Sequence, residues 1–186
     1  MITIRPATKD DATFIAQMVM MALHIDHTQE TKMYRHLAHI TAMNETLYTW
    51  QRCSIACDGD ACVGLCLAYD AADYHERRML TFSLPAEDGS TFADNDPSLL
   101  EQEDEAGEGE YYIDSLAVSV SHRKQGIGKK LLLHAIEEGN KQKLSPTLLV
   151  DPANENAVRL YSSLGFRYER DIFAFGQIYH KYRWLA

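Results

Sequence analysis

The chain of 186 residues is long enough to bury one sizeable core, and its 46% apolar and 24% charged content is typical of an ordinary globular protein. A formal net charge of −9 argues against a nucleic-acid partner, because that binding relies on basic side chains neutralising phosphates. No apolar run is long enough to span a bilayer and no signal segment opens the chain, so we expect one cytoplasmic domain over residues 1–186, with no membrane partner.

The first elements are predicted to be a strand and two helices. Residues 1–6 alternate as a short strand, and Thr8 caps a helix with acidic residues in its first turn. A second helix is predicted from Gln29 to Thr46, where no Gly or Pro interrupts the apolar pattern. Four histidines lie in this region without a carboxylate-rich ligand set, so we expect no metal site: His24, His27, His36 and His39.

A hairpin is predicted next, with strands at 52–57 and 61–69 around an Asp-Gly-Asp turn. Counting from the turn places Cys57 opposite Cys62 and Cys53 opposite Cys66, which would put all four thiols on one sheet face. Small apolar core thiols are the simplest interpretation, and a cross-strand disulfide or a redox role is the alternative.

Residues 70–110 form a long acidic insertion. Between Glu87 and Glu110 there are ten Asp or Glu and no Lys or Arg, so most of the net charge resides here. A short helix is predicted over 71–81 and a loop over 85–110. The loop is either a solvated excursion or a wall beside an acceptor site whose negative field attracts cationic amines.

The most informative stretch is Tyr111–Lys130, a strand followed by a glycine-bearing turn and a helix over 129–142. The first turn of a helix leaves backbone N–H groups unpaired, and glycines let the backbone approach an anion closely. Basic residues surround this turn in an otherwise acidic chain. We expect leucines 131–133 to lie on the buried face of the helix.

The remaining sequence predicts a buried strand at 147–151, a helix at 155–164 that Asn154 or Asp151 begins and Gly165 ends, and a terminal strand pair. The two terminal strands cover 167–175 and 178–184, with Gly176-Gln177 between them. The predicted fold is an α/β sandwich with a mixed, mostly antiparallel sheet.

Two blocks of this sequence resemble the GCN5-related N-acetyltransferase (GNAT) family. The run L-x-V-x-V-x-x-R-x-x-G-x-G, from Leu116 to Gly128, is similar to the family's acetyl-coenzyme A signature. The second block, Asn154-x-x-Ala-x-x-Leu-Tyr161-x-x-x-Gly-Phe166, is similar to its closing motif.

The resemblance implies a sheet whose middle strands, 113–120 and 147–151, splay apart to admit the pantetheine arm of acetyl-CoA. It also implies that the arm and the acetyl carbonyl contact the main chain of Leu116, Ala117, Val118 and Val120, with an N–H near Ala117 or Val118 facing the developing oxyanion. Asn154 would hydrogen-bond the arm. The diphosphate would be held by the main chain of Arg123, Lys124, Gln125, Gly126, Ile127, Gly128 and Lys129.

The implied reaction is direct attack of an amine on the thioester, without a covalent enzyme intermediate or a metal. Tyr161 occupies the family's acid position, and a phenol stays protonated at neutral pH; the alternative is a packed helix tyrosine. Asp114 is a candidate base and equally a structural carboxylate. Glu110 and Tyr112 are rivals, and an amine that is already neutral needs no base.

The resemblance implies an acetyl-CoA-dependent transferase acting on a primary amine of a small molecule or peptide. Two alternatives stay open: a non-catalytic CoA-binding sensor, and an acetyltransferase for protein N-termini or lysines. Dimers are common in this family, so the terminal strands are candidates for a homodimer contact.

Overall fold

The computed structural model describes residues 1–25 and 31–185. Seven strands and seven helices lie in these ranges, together with 3₁₀ turns. The strands are β1 (Ile2–Pro6), β2 (Cys53–Asp58), β3 (Ala61–Asp70), β4 (Glu110–Val118), β5 (Ser145–Val150), β6 (Phe166–Ala174) and β7 (Gln177–Trp184). The helices are α1 (Ala12–Ala22), α2 (Lys32–Thr41), α3 (Tyr74–Ser83), α4 (Phe92–Asn95), α5 (Ser98–Glu101), α6 (Ile127–Lys141) and α7 (Glu155–Ser163).

The strands form one sheet in the order β1-β2-β3-β4-β5-β7-β6. β4 and β5 pair in parallel, and the pairs β1–β2, β2–β3, β5–β7 and β6–β7 are antiparallel. The predicted mixed, mostly antiparallel sheet flanked by helices is therefore confirmed. The chain divides into two compact units, one of residues 1–68 with 115–134 and one of residues 69–114 with 135–186.

The β2–β3 hairpin has a register shift that corrects the cysteine prediction. Cys57 does pair with Cys62, but Cys53 pairs with Leu67 and Cys66 pairs with Ser54, because the register shifts between Ala56 and Cys57. Paired residues share a sheet face, so Cys53 and Cys66 lie on opposite faces and the prediction of one shared face is wrong. None of these four cysteines forms a disulfide.

The helix after the central turn begins and ends close to its predicted bounds, and most of its apolar residues are buried. Leu131 and Leu132 are fully buried, whereas Leu133 is 47% exposed, so its prediction as a core residue is wrong. Successive helix residues are 100° apart, and the third leucine turns past the buried face. α2 also differs from its prediction, because it ends at Thr41 rather than at Thr46. The predicted start at Gln29, and His27, lie outside the described residues.

The acidic insertion contains more structure than its composition predicts. The short helix predicted over 71–81 is α3, and the segment predicted as loop includes two one-turn helices, α4 and α5. Thr91 and Asp94 form a capping box at the start of α4. A local hydrogen-bond pattern therefore orders a stretch that lacks apolar periodicity.

The closing elements follow the prediction, with a shifted terminal turn. Asn154 caps α7, its Oδ1 accepting from the Ala157 N–H at 3.1 Å. β6 and β7 join through Phe175 and Gly176 rather than Gly176 and Gln177. Both turn residues have positive φ, 51° and 75°, which is the backbone of a tight two-residue hairpin turn.

The adjacent leucines of α6 offer a matched test of this packing. We expect Leu132→Ala to lower the free energy of unfolding by about 2–5 kcal/mol, because it removes a fully buried side chain and leaves a cavity. Leu133→Ala should cost less than about 1 kcal/mol. Urea denaturation of the two variants measures the difference, and equal losses would contradict the burial pattern of α6.

Candidate functional site

The turn between β4 and α6 has an unusual backbone. After β4 ends at Val118, a 3₁₀ turn spans Val120–His122 and α6 begins at Ile127. Lys124 has a φ of 61° and Gly126 a φ of 77°, both in the left-handed region that glycine adopts without strain. This alternation turns the backbone so that the residues before α6 form a concave stretch of main chain.

Six consecutive amides of this turn, from Lys124 to Lys129, donate no hydrogen bond to any residue within 1–25 or 31–185. Before them, the N–H groups of His122 and Arg123 bond to the carbonyls of Ser119 and Val120. After them, the Lys130 N–H closes the first helical bond to Gly126. Unpaired amides at a helix N-terminus carry partial positive charge and bind anions.

The side chains of the turn leave the amides accessible. Residues 123–126 are exposed. The Arg123 side chain lies back on its own unit, with Nε donating to the Val118 carbonyl at 3.2 Å and Nη2 lying 3.5 Å from the Met21 sulfur. Within the described chain no carboxylate pairs with the lysines of this turn, which therefore add uncompensated positive charge: Lys124, Lys129 and Lys130.

The geometry fits a diphosphate, because the unpaired amides and the lysines of this turn together match a doubly charged anion.

Gly128 contributes in a different way from Gly126. A Cβ added at Gly128 would meet only Val118 Cγ2, at 3.8 Å, which is ordinary contact. The fold therefore does not need glycine at this helical position, whereas close approach of a ligand to the backbone would.

The edge of β4 beside β5 is only partly paired. The β4–β5 ladder runs from Glu110 with Ser145 to Ile113 with Leu148, although β4 continues to Val118. The Ser119 N–H bonds to the Val63 carbonyl on β3. Backbone groups alternate along a strand, so the N–H and C=O of Ala117 face β3 as well. The N–H groups of Leu116 and Val118 then face the opposite edge of β4, the one beside β5. Val120, predicted within this strand, lies in the 3₁₀ turn and is 68% exposed.

Asn154 and Tyr161, the predicted residues of the second motif, lie in the other compact unit on one helix. Asn154 Oδ1 is used in the helix cap, so its side-chain NH₂ is the group left to meet a ligand. Tyr161 is partly exposed and packs edge-on against Phe166, with 6.1 Å between ring centroids. In this stretch Asn154 therefore caps the helix, and the Phe166 ring supports the ring of Tyr161.

Asp114 lies in the same unit, at the point where the β4–β5 ladder has ended. Its Oδ2 accepts a hydrogen bond from the Tyr69 hydroxyl at 2.7 Å. Burial, and then the charge of Asp114, raise the pKa of Tyr69 well above its usual value, so this phenol stays a donor.

The two rival bases have contacts of their own. Glu110 forms ion pairs with Lys181 and Arg183, each at 2.7 Å, and is buried. The Tyr112 hydroxyl donates to Glu105. Both rivals are buried in these contacts, whereas Asp114, which also accepts a hydrogen bond, is partly exposed.

Glu105 is a residue that sequence reasoning did not single out. It comes from the acidic insertion, yet it is only 7% exposed and accepts hydrogen bonds from the hydroxyls of Tyr74, at 2.8 Å, and Tyr112. Burial, and then the charge of Asp114, raise the pKa of Glu105 to about 7. Nothing local distinguishes it from its acidic neighbours, because its partners come from α3 and β4.

The described residues contain neither a metal-binding cluster nor a membrane-spanning helix. Across residues 1–25 and 31–185, no group of three or more His, Cys, Asp or Glu side chains is arranged to hold a metal ion. No helix in these ranges is both long and apolar enough to cross a membrane.

A partly paired parallel edge of a mixed sheet and an amide-presenting turn at a helix start are features suited to an anionic ligand such as a diphosphate. The family model described as "Acetyltransferase (GNAT) family" matches residues 20–166, and this chain belongs to that family. Members of the GNAT family are acetyltransferases that use acetyl-CoA as co-substrate. None of the curated proteins matches the sequence.

Solved structures with the same fold cover nearly the whole chain. An N-acetyltransferase from Staphylococcus aureus Mu50 is 21% identical over 97% of this chain and 99% of its own, with a TM-score of 0.80. A structure described as an acetyltransferase is 28% identical over 98% of each chain, with a TM-score of 0.75. The NatC complex bound to Gag peptide and CoA shares the fold at 16% identity over 98% and 97%, with a TM-score of 0.56.

Gly128→Ala tests whether a ligand approaches the turn. We expect the variant to be at least as stable as the wild type, since alanine favours a helix by up to about 1 kcal/mol over glycine. Its Cβ would nevertheless meet the diphosphate, so we expect CoA affinity to fall at least about tenfold, or 1.4 kcal/mol. Isothermal titration calorimetry measures both proteins.

Gly107→Ala is the matched control, because a Cβ there meets no atom within 4 Å and is likewise free of a steric clash. It should leave CoA affinity unchanged. Equal affinity of the Gly128→Ala variant and the wild type would show that the diphosphate does not contact this turn.

Proposed function

We propose that this protein is an N-acetyltransferase that transfers the acetyl group of acetyl-CoA to a primary amine of a small molecule or peptide by direct attack. The observation that carries the proposal is the run of six amides, Lys124 to Lys129, without acceptors among the described residues. Family membership supports the same chemistry.

The cofactor-binding roles follow from the local geometry of the turn and of β4. The main chain from Arg123 to Lys129 would hold the diphosphate. The pantetheine arm would pair with the free edge of β4, where strand alternation favours Leu116 and Val118 over Ala117. Of the two predicted donors to the oxyanion, the Val118 N–H is then favoured, because the Ala117 N–H faces β3. Val120, outside the strand, would contribute only from the turn.

The catalytic roles belong to Tyr161 and Asp114. The amine nitrogen forms a bond to the acetyl carbon, and the carbon–sulfur bond breaks as the thiolate leaves. In this proposal Tyr161 gives its phenolic proton to the sulfur, and Asp114 takes the proton lost by the amine, directly or through water. Asn154 would orient the arm through its side-chain NH₂, since its oxygen caps α7.

The two other candidate functions differ from this one in what they predict. A CoA sensor would bind CoA without turning over acetyl-CoA. An acetyltransferase for protein N-termini or lysines would acetylate peptides rather than small amines; the NatC complex, which shares the fold, was solved bound to Gag peptide and CoA.

An acetyl-CoA turnover screen tests the function. We expect release of free CoA with at least one amine from a panel of polyamines, aminoglycosides, amino acids and short peptides with free N-termini or lysines. Acetyl-CoA should bind at about micromolar concentrations, a common range for KM. CoA binding without turnover on any panel member would favour the sensor, and absence of binding would rule out all three.

Tyr161→Phe tests the acid. We expect kcat to fall by about two orders of magnitude, since that is the usual contribution of a positioned acid, while CoA affinity stays within about twofold. Tyr168→Phe is the matched control, because Tyr168 is 54% exposed and its hydroxyl donates to Asp171 on the same strand. Unchanged turnover in the Tyr161→Phe variant would remove Tyr161 from the mechanism.

A further inference from the structure

Glu105 and Asp114 are two carboxylates set in one layer of tyrosines. Tyr112 lies at its centre, with ring centroids 5.9 Å from those of both Tyr69 and Tyr74 in edge-to-face contact. Tyr69 donates to Asp114, whereas Tyr74 and Tyr112 donate to Glu105. The three rings are at most 3% exposed and Glu105 is 7% exposed, so water is excluded from around Glu105, whereas Asp114 is partly exposed.

Each carboxylate therefore senses the charge of the other. Burial contributes most to the raised pKa of Glu105, and the charge of Asp114 comes second. Hydrogen bonds from Tyr112 and Tyr74 and the charge of Arg78 act in the opposite direction. Interaction between two titrating sites is reciprocal, so an ionised Glu105 makes Asp114 a stronger proton acceptor.

The cations nearby are already engaged with other anions. Arg78, on α3, forms an ion pair with Asp104 at 3.1 Å and donates to the carbonyls of residues 99 and 102. Lys181, on β7, donates to the Glu110 carboxylate at 2.7 Å, and its bond to Glu105 goes to the main-chain carbonyl, at 3.0 Å. The charged and titratable groups facing Glu105 are thus Asp114 and Tyr112 on β4, Tyr69 on β3, Tyr74 and Arg78 on α3, and Lys181 on β7.

We propose that Glu105 is a positioning residue of the acyl-transfer reaction, whose ionisation strengthens Asp114 as the acceptor of the amine proton. This inference rests on the proposed function, because the proton affinity of Asp114 matters only if an amine transfers its proton there. Glu105 itself exchanges no proton with the substrate. It acts through the charge it places beside Asp114 and through the hydrogen bonds that hold Tyr74 and Tyr112.

The test compares kcat/KM of the Glu105→Gln variant with that of the wild type from pH 5.5 to 8.5, using one amine. The ratio of the two values cancels the ionisation of the amine itself. Glutamine keeps the size and the acceptor oxygen of glutamate but never becomes charged. We expect the ratio to fall about threefold as pH rises through 7, because the wild type gains a stronger base there and the variant does not.

Tyr74→Phe should keep the ionisation of Glu105 but shift it to higher pH. It removes a hydrogen bond that stabilises ionised Glu105, so ionisation shifts to higher pH, and the ratio to wild type should dip near pH 7 and recover by pH 8.5. Glu108→Gln is the control for charge alone, because Glu108 belongs to the same insertion and is exposed. Its ratio should stay near one throughout.

A second measurement does not require turnover. The pKa of Glu105 rises on folding from its ordinary value of 4.5 to about 7. Between these values the folded protein keeps a proton that the unfolded chain has lost, so this group makes the free energy of unfolding fall as pH rises. We expect a smaller fall between pH 5 and pH 8 in the Glu105→Gln variant.

The outcomes separate the two proposals. A falling ratio for Glu105→Gln with a flat one for Glu108→Gln supports the role of Glu105. Turnover with a pH-independent ratio overturns that role and leaves the proposed function standing. If no amine is acetylated, the proposed function fails and the role of Glu105 in catalysis fails with it, whatever the unfolding data show.

Discussion

The constraint on which this protein depends is the set of backbone amides that α6 cannot satisfy. Every helix begins with N–H groups that lack a carbonyl partner. Here the left-handed residues Lys124 and Gly126 extend that set backwards, so six consecutive amides remain available on an exposed turn. Water satisfies them at little cost, and a diphosphate replaces that water with oxygens of matching charge. A side-chain cap would have stabilised the helix and closed the site.

The nine residues of β4 divide into a first half that is paired within the protein and a second half that includes the proposed ligand contacts. Its first half is fixed by the β5 ladder and by Glu110, whose two ion pairs to Lys181 and Arg183 are largely buried. Buried charges need such pairing to be tolerated. The second half, from Asp114 onward, leaves the ladder. The first half of β4 therefore serves the internal packing of its own unit, and the edge at Leu116 and Val118 is left for a ligand.

The sequence predicted the features that depend on neighbouring residues. The strand, turn and helix around Gly126 and the cap at Asn154 are local patterns, and their positions were predicted within a few residues. The register of Cys53 was not predictable, because the shift after Ala56 leaves no mark in composition or periodicity. The exposure of Leu133 reflects where the buried face of α6 ends, which depends on packing. The roles of Tyr161 and Asp114 stay predictions.

Of the two carboxylates at this site, the sequence indicated Asp114 but not Glu105. Asp114 itself stands in phase with the motif, whereas Glu105 lies nine positions earlier in a run of similar acidic residues. Its identification needs three long-range facts: the α3 position of Tyr74, the inward side of Tyr112, and the clamp of Arg78 on the segment before it. None of these can be inferred from local propensity, because each is a contact between separate elements.

The structure also changes how the acidic insertion should be interpreted. A negative field that attracts cationic amines requires carboxylates that face solvent without partners. Several carboxylates here have partners instead: Asp104 pairs with Arg78 and His75, and Glu103 pairs with Arg170. Glu110 pairs with two cations and Glu105 with two tyrosines. Glu103, Asp104, Glu105 and Glu110 therefore place their charge in internal contacts, and such a field would have to come from the other six of the ten acidic residues between Glu87 and Glu110.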